Sequence, residues 1–290
     1  MSHTFKDHLA QTTPFPFGIK VSHAEGSYIY DTDGKAYLDL ISGIAVSYLG
    51  HGREEIKDAI KAQTDKHLHV MVYGEFEQEA QNELAEELKQ TLPKSLHSFY
   101  FVNSGTEANE AALKLAKRAT GRRKLISFKG AYHGSTHGSL SLLGSEHQKV
   151  GYRPLLPNIR FVRFNSENDL SYITKTTAAV ILETIQGGAG FILPQNNYLQ
   201  KVKARCQKVG ALLILDEIQP GFGRTGTFFG FENFEVEPDI VVMGKGMGGG
   251  LPVGAFTASH KLMKLLENHP KLGHITTFGG NPVIAAACLA

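Results

Sequence analysis

The sequence predicts an α/β protein in which helices flank a mostly parallel sheet. From about residue 99 onward, short apolar runs alternate with stretches of helical periodicity, a pattern typical of parallel sheets covered by helical layers. Several runs are apolar at every position, as expected for strands that are buried on both faces. The chain has 31 glycines among 290 residues, and they cluster after these runs. Because ligands bind outside the carboxyl ends of such strands, the residues after each run are candidates for a site.

The elements can be assigned in order along the chain. Residues 26–40 alternate towards an Asp-Thr-Asp-Gly turn and back, which predicts a hairpin. Apolar spacing predicts helices at 53–69 and 75–88, and a further helix is expected to begin at Pro282. The predicted strands are 99–102, 125–128, 159–164, 178–182, 212–215, 240–243 and 255–258.

Composition and charge exclude several classes of protein. The 30 Lys and Arg residues nearly balance 28 Asp and Glu residues, so we expect no nucleic-acid partner and no anionic membrane. Two cysteines, Cys206 and Cys288, cannot form a disulfide framework and favour a reducing compartment. The sequence has no apolar run long enough for a membrane helix and no apolar signal-peptide core at its start. We therefore expect a cytoplasmic protein.

A small polar turn follows the run at 99–102 and leads into a strong helical stretch. The free N–H groups and positive dipole end of such a helix form an anion site, so Ser104, Gly105 and Thr106 are candidates to cradle a phosphate. The alternative is an ordinary helix cap, in which Ser or Thr caps and Glu107 favours the dipole.

Carboxylates end two of the apolar runs, Glu183 after 178–182 and Asp216 after 212–215. A buried carboxylate is costly unless it is paired, so Asp216 needs a cationic partner. One interpretation is the Mg²⁺-linked acid of a nucleotide hydrolase, but the Gly-x-x-x-x-Gly-Lys-Ser/Thr loop that it requires is absent. The other is a protonated heteroaromatic nitrogen on a cofactor. For Glu183 a structural pair with a nearby Arg is the alternative.

A lysine flanked by glycines follows the run at 240–243. Residues 244–249 match the dinucleotide pattern Gly-x-Gly-x-x-Gly, but further glycines and Pro252 follow, so no helix starts cleanly there. Burial or a nearby cation would lower the pKa of Lys245 enough for Schiff-base chemistry. The alternative is a solvated loop lysine, against which the low charge of the flanking residues argues.

The loop after 125–128 holds an aromatic ring and two histidines. His133 and His137 have the spacing of a metal pair on a helix. We expect Gly134 and Gly138 to interrupt that helix, and no third ligand has a clear spacing, so we expect no metal. The favoured interpretation is that Tyr132 or His133 stacks on a flat ligand, and the alternative is a polar loop with a packed aromatic ring.

Together these features fit one ligand, pyridoxal phosphate (PLP). Its chemistry needs a lysine Schiff base and an acid on the pyridinium nitrogen. The acid keeps that nitrogen protonated, so that the ring draws electrons from the substrate Cα. Lys245, displaced by the substrate amine, is then free to move the proton between Cα and C4′ of the cofactor.

The sequence resembles the class III, ornithine-type aminotransferases of the fold-type I PLP family over nearly its whole length. The resemblance implies a mostly parallel sheet flanked by helices, plus part of a smaller α+β domain. Residues 1–50 would contribute to that small domain, and residues 51–290 would form the large PLP-binding domain. The motifs that carry the resemblance lie at 37–39, 42–46, 49–51, 103–108, 215–219, 221–226, 244–252 and 276–282.

The resemblance implies a role for each matching position. Lys245 would form the Schiff base, and Asp216 would bind the pyridinium nitrogen. Gln219 would reach the phenolic oxygen of the ring, while Tyr132 would stack on the ring. Members of the family share active sites across a homodimer, so Thr277 would reach the phosphate of the neighbouring subunit. The other implied cofactor contacts are Ser104, Gly105, Thr106, His133 and Glu183.

Three departures from the family pattern concern the substrate. Acetylornithine and ornithine members usually carry an Arg two residues after the loop His, where this chain has Ser135. Many members have a Glu where this chain has Gly188. Ser135 and Thr276 are the implied substrate contacts. Members also continue into a C-terminal small domain, which we expect to be absent here because the sequence stops inside a predicted helix.

Three functional hypotheses follow. The leading one is transamination from an amino acid or ω-amine, of the acetylornithine, ornithine or 4-aminobutyrate type, to a 2-oxo acid such as 2-oxoglutarate. An aminomutase or racemase on the same scaffold would share every cofactor residue and differ in needing no 2-oxo acid. A cofactor-binding but inactive fragment is the non-enzymatic alternative.

Overall fold

The structure is a computed structural model that describes residues 3–72 and 74–290. Helix α1 (His3–His8) comes first. A separate antiparallel sheet follows, with strands β1 (Val21–Glu25), β2 (Tyr28–Asp31) and β3 (Ala36–Leu38). The hairpin predicted at 26–40 is confirmed, because β2 pairs with β3 across it. The Asp31 carboxylate closes the turn by accepting the backbone N–H groups of Asp33 and Lys35. Whether residues 1–50 belong to a small domain stays a prediction.

The helices predicted before the main sheet are confirmed, but their ends differ from the prediction. These helices are α3 (Glu54–Lys66) and α4 (Glu79–Gln90). The short turn α2 (Ser42–Ala45), which was not predicted, precedes them, and all four of its residues have a positive φ. The backbone of His67 is extended and ends α3, and the extended backbone of Gln78 delays the start of α4. Because Leu84 and Leu88 of α4 are buried, the apolar periodicity identified the packed face correctly even though the ends moved.

A seven-stranded sheet forms the centre of the molecule, and all seven predicted strands are confirmed. Its strands are β4 (Ser98–Val102), β5 (Lys124–Phe128), β6 (Ile159–Val162), β7 (Thr177–Glu183), β8 (Leu212–Asp216), β9 (Ile240–Gly244) and β10 (Gly254–Ala258). The spatial order is β4-β10-β9-β8-β7-β5-β6. Only β10 runs against its neighbours. The predicted mostly parallel α/β architecture is therefore confirmed.

Each face of this sheet packs against a different long helix. Helix α5 (Gly105–Thr120) covers one face and α7 (Tyr198–Val209) covers the other. Successive residues of β8 alternate between the two cores, with Leu213 and Leu215 on the α7 side and Ile214 on the α5 side. Burial of each such side chain contributes about 1.5–3 kcal/mol to folding, which explains the uninterrupted apolar runs in the sequence.

Three shorter helices complete the described chain, namely α6 (His137–Ser141), α8 (His260–Met263) and α9 (Pro282–Leu289). The helix predicted to begin at Pro282 is confirmed, and Asn281 caps it by accepting the N–H groups of Val283 and Ile284. In the described chain no helix carries both His133 and His137, as predicted, since α6 begins only at His137. Gly138 itself does not interrupt a helix, because it lies inside α6. A Cβ there would collide with the Glu110 carboxylate. Among the described helices, none is long and apolar enough to cross a membrane.

The topology brings the predicted site residues to one edge of the sheet. Six of the seven strands run in the same direction, so their carboxyl ends meet at that edge. The segments that follow β4, β5, β7, β8 and β9 carry the residues that the sequence singled out. Residues separated by more than a hundred positions in the chain thus face a common cavity.

Candidate active site

A cavity of about 570 Å³ lies at the carboxyl edge of the sheet. Most of the residues predicted to contact the cofactor or the substrate line it. They arrive from five different strand ends, so the sheet fixes their relative positions. The predicted residues that line the cavity are Gly105, Thr106, Tyr132, His133, Ser135, Glu183, Asp216, Gln219 and Lys245.

Asp216 ends β8 at the base of the cavity and is 3% exposed. Its Oδ2 accepts hydrogen bonds from His133 Nδ1 at 2.7 Å and from the side-chain amide of Asn109 at 2.9 Å. Its Oδ1 accepts the backbone N–H of Ile218 at 3.1 Å. Three donors compensate the loss of water around the carboxylate, so the acid can be buried and still present a negative oxygen to the cavity.

Lys245 follows β9 and faces the same cavity. Burial lowers the pKa of its ammonium group, and the negative charges of Asp216 and Glu183 partly oppose that shift. A lower pKa increases the fraction of free amine, which is the nucleophilic form. The backbone of Lys245 has a φ of 49°, in the left-handed region that a lysine seldom adopts. The fold therefore accepts strain at the position where the amine is presented.

The N-terminus of α5 borders the cavity beside these groups. Ser104 caps the helix, because its hydroxyl accepts the N–H of Glu107. The N–H groups of Gly105 and Thr106 donate to no group within residues 3–72 and 74–290. Unpaired N–H groups at the positive end of a helix attract an anion. A helix cap and an anion site were alternative interpretations of this segment in the sequence. The structure shows that one helix start can provide both.

Replacing Gly105 with Ala should weaken this anion site and the fold. A Cβ at Gly105 would lie 2.6 Å from Cδ1 of Ile218, so the side chain or the helix start must move. We expect a loss of about 1–3 kcal/mol in the free energy of unfolding and a higher dissociation constant for PLP. Denaturant melts and a PLP titration measure the two effects. Gly151→Ala is the control, because a Cβ there meets open space, and equal effects of both substitutions would contradict the prediction.

Glu183 holds two loops against each other at the side of the cavity. Its Oε1 accepts the N–H of Tyr132 at 3.0 Å, and its Oε2 accepts the N–H of Gly187 at 2.9 Å. Burial raises the pKa of this carboxyl. Glu183 thus positions the ring of Tyr132, which is 47% exposed. The Tyr132 hydroxyl forms a 3.1 Å hydrogen bond with the Ser135 hydroxyl.

Three predicted contact residues do not line this cavity. Ser104 serves as the helix cap described above. The Thr276 hydroxyl is hydrogen-bonded within the protein, because it accepts the side-chain N–H of Asn103 at 3.1 Å and the backbone N–H of Gly279 at 3.2 Å. Thr277 is exposed. Their proposed contacts with cofactor or substrate remain predictions.

Asn109 is a site residue that was not predicted from the sequence. This residue lies four positions after the start of α5, is fully buried and contacts Asp216 directly. The sequence carried one signal for it, because Asn109 is an amide among the Ala and Leu residues that form the buried face of this helix. A polar residue on the buried face of a helix needs a partner, and the partner here is the predicted acid.

Glu217, next to Asp216, points away into the protein and is fully buried. Its carboxylate accepts the Thr184 hydroxyl, the Gly230 N–H at 2.7 Å and the Phe231 N–H at 3.0 Å. Burial is the main cause that raises its pKa from 4.5 to about 7. Its role is to tie the loop after β8 to the segment at 229–231.

The raised pKa of Glu217 predicts a stability that depends on pH. The folded protein binds this proton more tightly than the unfolded chain, so the contribution is present below about pH 4.5 and is lost as the pH rises through about 7. One pKa unit corresponds to about 1.4 kcal/mol, which makes the loss about 3 kcal/mol. Urea melts of the wild type and Glu217→Gln at pH 5 and pH 8 measure it. Between these pH values Glu217→Gln should lose about 3 kcal/mol less than the wild type, whereas the exposed control Glu86→Gln should lose as much as the wild type. An equal loss in Glu217→Gln would refute the assignment.

The cavity meets the chemical demands of PLP. The free N–H groups of Gly105 and Thr106 suit a phosphate. Asp216 offers a negative oxygen that suits a protonated ring nitrogen, and Lys245 offers an amine of lowered pKa. The ring of Tyr132 lies beside the cavity. The residues present therefore fit this cofactor.

Comparisons with known proteins identify relatives of this chain. A family model described as aminotransferase class-III matches residues 10–290. The chain is 40% identical to the acetylornithine aminotransferase of Methanopyrus kandleri over 288 residues, which is 98% of this chain and 72% of the relative. It is 37% identical to the LysW-aminoadipate semialdehyde/glutamate semialdehyde transaminase of Sulfurisphaera tokodaii, over 94% of this chain and 69% of the relative.

Solved structures show the same architecture. The (S)-enantioselective ω-transaminase of Thermomicrobium roseum superposes with a TM-score of 0.91 at 30% identity, over 99% of this chain and 72% of that one. The taurine:2-oxoglutarate aminotransferase of Bifidobacterium kashiwanohense, in complex with PLP and glutamate, gives a TM-score of 0.89 at 30% identity, over 99% and 70%.

Proposed function

The chain belongs to the class III aminotransferases, and on this premise we propose that it moves the amino group of an amino acid or ω-amine to a 2-oxo acid such as 2-oxoglutarate. The activity of this family is PLP-dependent transamination. The observation that carries the proposal is that Lys245 and Asp216 line one cavity together with the start of α5.

The proposed roles follow from the chemistry of the lining groups. When bound, PLP supplies an electron-withdrawing ring. Asp216 would hold the proton on the ring nitrogen, and Gln219 would reach the ring oxygen. The amine of Lys245 would carry a proton away from the substrate Cα and return it to the product. Gly105 and Thr106 would hold the phosphate through their N–H groups, and Tyr132 would cover the ring.

The amino donor is proposed to be of the acetylornithine, ornithine or 4-aminobutyrate type. Ser135 is uncharged and is hydrogen-bonded to Tyr132, and Gly188 has no side chain, so neither supplies a charge to the donor. A second cavity of about 360 Å³ shares Ile44, Gly187 and Gln219 with the first. Its lining includes Leu40, Ile41, Ile185 and Phe191. These apolar side chains suit the methylene stem of such a donor.

A spectrophotometric half-reaction screen tests this function. The protein loaded with PLP is mixed with α-, β- and ω-amino compounds in turn, and the loss of the visible band of bound cofactor is followed. We expect loss with at least one donor and recovery on addition of 2-oxoglutarate. Product formation without any 2-oxo acid would indicate a mutase or racemase instead. A visible band that no amino donor changes would overturn the proposed activity.

The protein is further proposed to act as a homodimer with shared sites. Phe15, Phe17 and Leu40 are 86%, 88% and 84% exposed, and apolar side chains exposed to this degree are typical of interaction surfaces. Thr277 is exposed and lies outside the cavity of its own chain, so it is free to reach the phosphate in the partner. Light scattering after gel filtration should give twice 31.7 kDa, and a monomer with full activity would contradict the proposal.

A further inference from the structure

Asn109 is a buried amide inside the apolar face of α5. Its side chain has no exposed surface, and the buried residues around it on the helix include Ala108, Ala112 and Leu113. A polar group in such a position costs free energy unless hydrogen bonds satisfy it. The partners of Asn109 therefore indicate why the position holds an amide.

Both partners of Asn109 can only accept hydrogen bonds when Asp216 is ionised. Its Nδ2 donates to Asp216 Oδ2 at 2.9 Å and to the carbonyl oxygen of His133 at 2.8 Å. If the amide were flipped, its oxygen would face these two acceptor oxygens and could form a hydrogen bond with neither. The two contacts therefore fix the orientation of the Asn109 amide. Asn109 thus acts as a double donor, a task that a hydroxyl or an ionised carboxylate of similar size cannot perform.

The oxygen of the same amide has no partner within the described residues. An unsatisfied buried acceptor is destabilising, so this position is not optimised for the stability of the helix. An apolar residue would avoid the unsatisfied oxygen and would also remove the two donations. What the fold retains is the pair of N–H groups that point at Asp216 and His133.

The hydrogen bonds are distributed unequally over the Asp216 carboxylate. Oδ2 accepts from both Asn109 and His133 Nδ1, whereas Oδ1 accepts only the Ile218 N–H among the described groups. Oδ1 therefore keeps a lone pair for a group in the cavity. The bond from Asn109 to the His133 carbonyl adds a second constraint, because it anchors the loop that carries Tyr132.

We propose that Asn109 is the positioning residue that turns Oδ1 of Asp216 towards the cofactor ring and ties the acid to the loop of Tyr132. The inference rests on the proposed function, since it assigns Asp216 to the ring nitrogen. Asn109 itself does not line the cavity and acts through the acid. Residues that orient the ligands of a metal change activity 10- to 100-fold when they are replaced, and we expect an effect of about this size for a residue that orients Asp216.

Asn109→Leu tests the proposal, because leucine has a similar size and no donor. We expect the turnover number to fall about 10- to 100-fold with little change in KM, since the substrate contacts are kept. We also expect the pH midpoint of the visible band of bound cofactor to move upward. A ring nitrogen that keeps less positive charge repels the proton on the Lys245 nitrogen less strongly.

Thr257→Val is the matched control. Thr257 is fully buried, and its hydroxyl has no partner among the described groups. Like Asn109→Leu, this substitution replaces a buried polar side chain with an apolar one of similar shape. Thr257 lies on strand β10, however, and is far from Asp216 in the sequence. It should leave both the turnover number and the pH midpoint unchanged.

Asn109→Asp is the second variant, for the case that Asn109→Leu does not fold. A protonated carboxyl at this position has one donor and an ionised one has none. Asp216 on β8 is the titratable group that contacts this position directly, and His133 in the loop after β5 contacts it through its backbone carbonyl. Glu183 at the end of β7 and Lys245 after β9 act on Asp216 in turn. We expect part of the turnover to return at low pH and to disappear as the new carboxyl ionises.

The outcomes separate this inference from the proposed function. If the wild type binds PLP and transfers amino groups, but Asn109→Leu keeps the wild-type turnover and pH midpoint, the positioning role is wrong. A turnover of Asn109→Asp that follows the wild-type pH profile would overturn it too. If the wild type itself shows no amine transfer, the proposed function fails before Asn109 is tested.

Discussion

Lys245→Ala is expected to reduce amine transfer by about 10⁴-fold or more and to remove the visible band of covalently held cofactor. The reason is that the amine has two tasks, as the nucleophile that holds PLP and as the base that moves the substrate proton. Loss of a positioned proton-transfer group alone costs about 10²–10⁴-fold. Steady-state rates with 2-oxoglutarate and an absorbance scan of the loaded protein measure the two effects.

The assignment of the lysine can be checked independently of rate. Borohydride reduction of the loaded wild type followed by peptide mapping should place the label on Lys245. Lys261→Ala, at an exposed position in α8, is the control and should keep both the band and the rate. A label on any other lysine would show that the amine at 245 is not the attachment point.

Asp216→Asn is expected to leave cofactor attachment intact while turnover falls about 10³-fold. The amide has nearly the same size, so PLP should still reach Lys245 and give a coloured protein. It carries no negative charge, however, and cannot hold a proton on the ring nitrogen. The donors from His133 and Asn109 would also face a neutral group. We expect a loss of about 1–3 kcal/mol in the free energy of unfolding from this mismatch.

Asp239→Asn provides the matched control for the acid. Asp239 lies at the opposite end of the sheet, where it accepts the Leu213 N–H at 2.8 Å and pairs with Lys203 at 2.8 Å. Asp239→Asn should lower the free energy of unfolding, but the protein that remains folded should keep the wild-type turnover number. Near-normal turnover in Asp216→Asn would contradict the role of the acid, whatever its effect on stability.

The sheet was predictable because burial leaves a simple signature in the sequence. Strands covered on both faces, such as β7 and β8, must be apolar at nearly every position, and this signature does not depend on their partners. Helix ends were less predictable. The end of α3 and the start of α4 depend on single extended residues, His67 and Gln78, whose conformations are set by their surroundings.

Gly138 illustrates the same limit in another way. A glycine lowers the local preference for a helix, yet Gly138 lies inside α6. A side chain at this position would collide with Glu110 from α5, so packing explains why the residue is a glycine. The short helix is determined by packing between segments, which a local pattern cannot report.

The site was predicted where a motif and a strand end coincide. Asp216, Lys245 and the start of α5 each follow an apolar run, and the rule for parallel sheets places them at one edge. The family and the transaminase activity that the resemblance implied are confirmed by the comparisons, as are the fold class and the cofactor. Asn109 was missed because its importance arises from contacts with residues 24 and 107 positions away.

The position of β10 has a consequence for synthesis on the ribosome. In the described sheet β4 pairs only with β10, the last of the seven strands to be made. Until residue 258 has emerged, β4 lacks a neighbour and the segment carrying Ser104 has nothing to align it with Lys245. An unpaired strand of this kind invites wrong association between nascent chains. Capture of the vitamin B6 derivative should thus follow the emergence of β10, and it would report that β4 and β9 have been joined in one sheet.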